Sequence, residues 1–264
     1  MRTRQRDSGM SVILEHYNWM AGLVTIACII GVVFLGQKLV FSIPAIAQTR
    51  ELDKAQNKDK WRNKAKKYHH RVSSSQKIGA GFTLVFYFLV QPFIVTLEPQ
   101  PVWKVLLDVF LILMIYDFFY YLTHRFVFHG QGYFRMVHAV HHQARSRVSS
   151  IDSHLLHPTE IFIGIALFDV VTVSYALAQG HAFHFSPLVI TSVIYTQINQ
   201  INHCRIDLDH APWKTLNWIA MKHDAHHLDM HKGNFATITL LYDRIFGTLE
   251  THPLELGEKK EAAA

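Results

Sequence analysis

The chain has 264 residues, half of them apolar and only 17% charged, with a net charge of +6. That balance is unusual for a soluble domain of this size and points to a membrane protein. The two cysteines exclude a disulfide framework, since Cys28 lies inside an apolar run and Cys204 beside a histidine.

Residues 1–18 form an N-terminal segment with Arg2, Arg4 and Arg6. The run from Trp19 to Phe41 has a single charge near its end and, as a helix, is about 34 Å long. That length crosses a bilayer. The step Ala45-Ile46-Ala47 resembles a signal cleavage site, but the apolar run is far longer than a signal core. Residues 48–77 carry ten Lys/Arg against three acids, which places this loop on the cytoplasmic side. The net charge comes largely from this loop, read as facing anionic lipid headgroups rather than nucleic acid.

Further spans are expected at Gly79–Leu97, interrupted at Gln91-Pro92, at Val102–Thr123, at Ile161–Ala178 and at Pro187–Ile201. With the basic loop inside, the dense histidine stretches all fall on the cytoplasmic side. The N-terminus then lies outside, and the tail from Glu255 is solvated. The expected fold is all-α: a polytopic membrane protein of four to five transmembrane helices with a cytoplasmic histidine-rich helical cap. Its divisions are 1–18, a first span and basic loop at 19–78, a catalytic membrane domain at 79–250, and a tail at 251–264.

The pattern H-x-x-H-H occurs twice, as His138, His141, His142 and as His223, His226, His227. Positions i, i+3 and i+4 share one helical face, so each triplet can present three imidazoles to one point. Imidazole suits iron, zinc and copper, and two such faces can hold two metal ions. His124 and His129 are five residues apart, which is not one helical face, so the helix is expected to break or tighten between them. His203 ends the last span, with Asn199 one turn earlier and close to the site. His157, before Pro158, is a candidate ligand, near-site group or cap, and His154 a weaker one. His231 reads as facing solvent or supporting the site. Asp117, two turns before His124, is a candidate carboxylate to orient a metal-bound imidazole; Glu160 and Asp224 are weaker candidates. His69 and His70 read as solvated, and His181 and His184 fall on the opposite side of the membrane. His16, His210 and His252 show no constellation.

These residues resemble the fatty acid hydroxylase superfamily, also called the sterol desaturase family. The resemblance runs from Asp117 to Thr248, through DFFYYLTHR, HAVHH, the His157-Pro-Thr-Glu step, His203, HDAHH and KGNF…YDRIFGT. It implies an integral membrane enzyme that hydroxylates or desaturates a lipid, using two non-haem irons, dioxygen and external reductant. It implies ligand roles for His124, His129, His138, His141, His142, His203, His223, His226 and His227. Two departures are visible: many members space the first pair one residue closer, and 2-hydroxylases often carry a histidine where Asn199 stands.

No side chain supplies an oxidant for an unactivated C–H bond, so a metal must carry that step. Hydroxylation is the expected outcome, on a sterol, fatty acyl or related lipid. The nearest glycine string, Gly79-Ala-Gly81, lacks the rest of a dinucleotide fingerprint, so electrons come from an external electron-transfer protein. The expected setting is a bacterial inner membrane or the endoplasmic reticulum. A zinc protease would need H-E-x-x-H, which is absent. The alternative is a histidine-rich metal-binding or transport protein without oxidase activity, which would place ligands at mid-membrane.

Overall fold

Asn18 opens the first long helix by accepting the Ala21 N–H on its side chain. The apolar run behind it forms α1, Trp19–Val40. The computed structural model describes residues 16–145, 147–206 and 213–255. Arg2, Arg4, Arg6, His210 and the tail beyond Glu255 lie outside the described residues.

Pro44 begins α2, Pro44–Asn63, and α3 follows at Lys66–Leu89. Residues 48–77, expected as a loop, are therefore mostly helical. Their polar composition hides this, because a helix charged all round shows no apolar stripe. A 3₁₀ turn at Gln91–Phe93 and a short strand β1, Val95–Thr96, end this passage. Pro101 precedes α4, Val102–Leu122, which widens into a π-helical turn at Thr123–Phe128. Then come α5, Tyr133–His138, and α6, Pro158–Gln179, which starts on a proline and stops at Gly180 in the left-handed region. Strand β2, Phe183–His184, leads into α7, Phe185–Asn202. The last helices are α8, Trp213–Leu228, and α9, Leu241–Ile245.

Five helices form the bundle: α1 packs on α7, α3 on α6, and α4 on both α6 and α7. Its core gathers Ala21, Phe86, Ile112, Tyr116, Phe168 and Leu188. The outer faces expose Leu35, Leu106, Phe110, Val170 and Leu177, as a lipid environment favours. Among the described residues, three helices are long and apolar enough to cross a membrane: Trp19–Val40, Val102–Phe128 and Pro158–Gln179. The other two expected spans are helices of the bundle but fall outside that set. Helix α3 carries bases and a serine run in its first half, and α7 ends in Gln197, Asn199, Gln200 and Asn202.

The two ends of the bundle differ. At one end β1 pairs with β2 in parallel, and the Asn18 N–H reaches the Pro92 carbonyl at 2.9 Å. Asp108, buried there, is paired with Lys104, Tyr175 and Gln100, which offsets its desolvation. His181 and His184 lie at this end. The opposite end carries α2, α5, α8 and the histidine-rich segments.

Candidate metal centre

The site begins where α4 changes pitch. The His129 N–H bonds to the His124 carbonyl at 3.0 Å, an i+5 to i bond in place of the α-helical i+4. This wider turn brings residues five apart toward one face, and the two rings come within 5.0 Å. The helix neither breaks nor tightens there, contrary to expectation; it widens and so absorbs the extra residue between the two histidines.

Nine histidines converge in two groups. His124, His129, His138, His142 and His226 form one; His141, His203, His223 and His227 form the other, the donor nitrogens in each lying within 4.8 Å of one another. The triplets do not each point at one centre, as their helical spacing suggests. His138 and His142 join the first group while His141 turns to the second. His223 and His227 join the second while His226 turns to the first. Each triplet is thus split two and one, in opposite senses. In the first triplet α5 ends at His138 and a tighter turn at His141–Gln143 follows, whereas His223, His226 and His227 divide within the continuous helix α8.

The outer ring nitrogens explain the orientation. Nδ1 of His124 donates to the Phe235 carbonyl at 2.7 Å, and that of His129 to Met230 at 2.7 Å. His203 donates to Asn199 at 2.8 Å, His226 to Gly233 at 2.8 Å, and His141 to Leu155 at 3.3 Å. His138 Nδ1 meets Glu160 Oε1 at 2.6 Å. A carbonyl only accepts, so the proton of each of the five carbonyl-bound rings sits on Nδ1 and leaves Nε2 bare. Those bare nitrogens face one another at 3.1 Å in His124–His226 and at 3.2 Å in His141–His203.

The loop that supplies two of these carbonyls is itself fixed by two carboxylates. Asp117 accepts from the N–H groups of Thr237, Ile238 and Thr239 at 2.8–3.0 Å, and from the Thr239 hydroxyl. Asp243 accepts from Phe235 N and Ala236 N, both at 2.8 Å. Gly233 lets this loop approach residue 248 closely: a Cβ there would stand 1.8 Å from the Thr248 carbonyl oxygen. Asn234, with a left-handed backbone at φ 65°, donates to the Lys222 carbonyl of α8 and accepts the Glu250 N–H.

Several site expectations find other roles. Asp117 orients the loop rather than an imidazole, and Glu160 is the carboxylate on a histidine. Asn199 acts at the site through its carbonyl. His157 caps α6, accepting the Thr159 N–H at 3.2 Å, and stands outside both groups. His231 is exposed. Asp224 touches none of the nine; it binds Arg205 at 2.6 Å and the buried His252 at 3.2 Å. His252 shows no constellation in the sequence because its partner Asp224 is 28 residues away. Asp243 and Asn234 were likewise missed, since their work is done on backbone N–H and carbonyl groups.

Burial keeps these imidazoles neutral. It lowers His226 to about 3 and His129 and His203 to about 4, and it holds His138, His141, His223 and His227 well below the ordinary range. His129 Nε2 is fully buried without a hydrogen-bond partner. Bare, neutral nitrogens facing one another at hydrogen-bond distance, plus a buried orphan, are a donor set that fits a cation in each group. Cys204 belongs to neither group, so both donor sets are free of thiolate.

A cavity of about 320 Å³ opens beside His141 and Glu160. It runs between α3, α6 and α7, past Gly79, Gly164 and Tyr195.

Fold and site together define a helical bundle, with helices apolar enough to cross a membrane, that gathers nine histidines into two adjoining groups at one end. The chain belongs to the fatty acid hydroxylase family, whose sequence model matches residues 109–248 and so includes all nine histidines. It is 31% identical over 159 residues to methylsterol monooxygenase 2-2 of Arabidopsis thaliana, covering 57% of this chain and 55% of that protein. It is 29% identical over 159 residues to very-long-chain aldehyde decarbonylase GL1-11 of Oryza sativa subsp. indica, with the same coverage of 57% and 55%. A putative methylsterol monooxygenase of Dictyostelium discoideum is 32% identical over 143 residues, 51% of this chain and 48% of that protein. The chain thus spans about half the length of the curated relatives it matches. No solved structure matches.

Proposed function

We propose that the protein is a membrane-bound lipid oxygenase that hydroxylates a C–H bond of a sterol or fatty acyl type lipid. The observation that carries this reading is the division of nine buried imidazoles into two adjoining groups of bare nitrogens. His124, His129, His138, His142 and His226 would hold one iron ion, and His141, His203, His223 and His227 the other. When bound, such a pair supplies activation of dioxygen and cleavage of the C–H bond, chemistry that no side chain offers.

The chain's own residues bind, orient and shield. Five carbonyls and Glu160 fix the ring tautomers, a support that also raises ligand basicity. The cavity beside His141 receives the lipid from between α3, α6 and α7. Buried aromatic neighbours, Phe128 against His138 and Phe235 against His124, keep water from the nitrogens. The five bundle helices cross the membrane, with the histidine end on the cytoplasmic side beside the basic segment 48–77.

Anaerobic reconstitution with ferrous salt tests the reading. Uptake of two irons per chain and lipid-dependent oxygen consumption are expected. Stoichiometric metal binding without oxygen consumption, across sterol and acyl lipids, would favour a metal-handling protein instead.

A further inference from the structure

The basic segment between α2 and α3 was read from sequence as facing headgroups, but its height argues otherwise. From Lys58 to Arg71 it holds seven bases and one acid. The apolar part of α3 begins at Ile78, twelve residues after Lys66, about 18 Å along the helix. Headgroup layers add only about 5–8 Å to each side of the hydrocarbon core. Lys66 and Lys67 therefore stand past the headgroups, and Lys60 and Trp61 of α2 are held beside the same turn through Asp152 and His69, which leaves this ridge open to a protein surface rather than to lipid.

In the middle of these charges stands an exposed aromatic pair. Trp61 is 39% exposed and stacks on His69 at 4.2 Å between ring centroids, 13° from parallel. Behind it lies Tyr68, 6.2 Å from His69 and buried. The Tyr68 hydroxyl donates to Asp152 at 2.8 Å, and Lys60 bonds the other oxygen of that carboxylate. Tyr68 also packs on Leu155, whose carbonyl holds His141 Nδ1. A short, packed route thus joins a surface tryptophan to the second histidine group.

We propose that this ridge is the docking surface for an acidic one-electron carrier protein, with Trp61 and His69 as the electron port. The proposal rests on the oxygenase reading above. Hydroxylation consumes one dioxygen, two electrons and two protons per C–H bond, giving an alcohol and one water. Two successive docking events supply the two electrons, each leaving one carrier oxidised. Charge complementarity selects the partner and speeds its encounter.

The test uses full-length protein in detergent, with plant-type ferredoxin as the acidic probe and cytochrome c as a basic control. Wild-type protein should bind ferredoxin in preference to cytochrome c, with affinity falling steeply as salt rises. The variant carrying Lys58→Glu, Arg62→Glu, Lys66→Glu and Lys67→Glu should weaken ferredoxin binding by about tenfold or more. Its binding to phosphatidylserine vesicles should not change. Trp61→Ala should keep the affinity but slow reduction by ferredoxin, while reduction by dithionite is unaffected. Equal affinity in the charge-reversed variant, a preference for cytochrome c, or loss confined to vesicle binding would overturn the proposal. Because docking is read by binding alone, loss of oxygenase function would not mimic any of these results.

Discussion

Nε2 of His124 and Nε2 of His226 stand 3.1 Å apart although both rings spend their Nδ1 proton on a backbone carbonyl. No proton lies between two such nitrogens, so the contact is lone pair against lone pair. Burial keeps His226 neutral down to about pH 3, so protonation does not relieve it near neutrality. A cation drawn between the rings does. Replacing His226, or His141 of the second group, with alanine is expected to abolish lipid-dependent oxygen uptake while membrane insertion persists. Oxygen-electrode assays on quantified membranes check this, and full activity in either variant would remove the site.

Glu160 should matter in a graded way. Glu160→Gln keeps an acceptor for His138 Nδ1 and should retain most metal. Glu160→Ala removes it and should cost about 10–100-fold in metal affinity. Metal titration with a competing chelator separates the two, and equal affinities would show the carboxylate to be idle.

Gly233 is a packing demand. A methyl group there collides with the Thr248 carbonyl, so Gly233→Ala should destabilise the protein by about 1–3 kcal/mol. It should also loosen the Gly233 carbonyl from His226. Thermal unfolding of the metal-free protein measures the first effect and metal affinity the second. An unchanged melting temperature would mean the loop has room to move.

Acid should weaken the metal-free fold. His129 and His203 drop from an ordinary value near 6.5 to about 4 in the folded state. The unfolded chain therefore binds more protons between those limits, and stability rises with pH across that window. The contribution is fully present above about pH 6.5 and is lost progressively as pH falls toward 4. Melting temperatures at pH 7.5 and pH 5 test the sign; a higher value at pH 5 would contradict it.

Topology is open to direct labelling. Arg62→Cys should react with an impermeant maleimide from the cytoplasmic side only, and Glu98→Cys from the other side only. Both sites are exposed and lie at opposite ends of the bundle. Labelling of both from one side would refute the proposed orientation.

The histidines were legible in the sequence because residue type and spacing are local. Their division was not. From His138, His141 and His142 alone, three rings on one face imply one centre. The split depends on a tight turn after His138 and on α8 arriving with the complementary arrangement. The π turn at Thr123–Phe128 could be read only as a misfit of spacing, which a break, a tightening or a widening would equally relieve. Asp117 looked like a partner for His124 because two helical turns separate them. In the fold a loop from residues 237–239 reaches it first. The apolar runs foretold the bundle helices, but the polar helix α2 was invisible to that signal.

The reciprocal sharing of the two triplets makes the pair of centres indivisible. Neither cage can be completed by one stretch of chain, since each borrows a ring from the segment that mainly builds the other. A half-made protein, with α8 still to come, owns no finished cage. Loading with metal would then be a checkpoint on completed folding, and damage to either triplet would reach both groups.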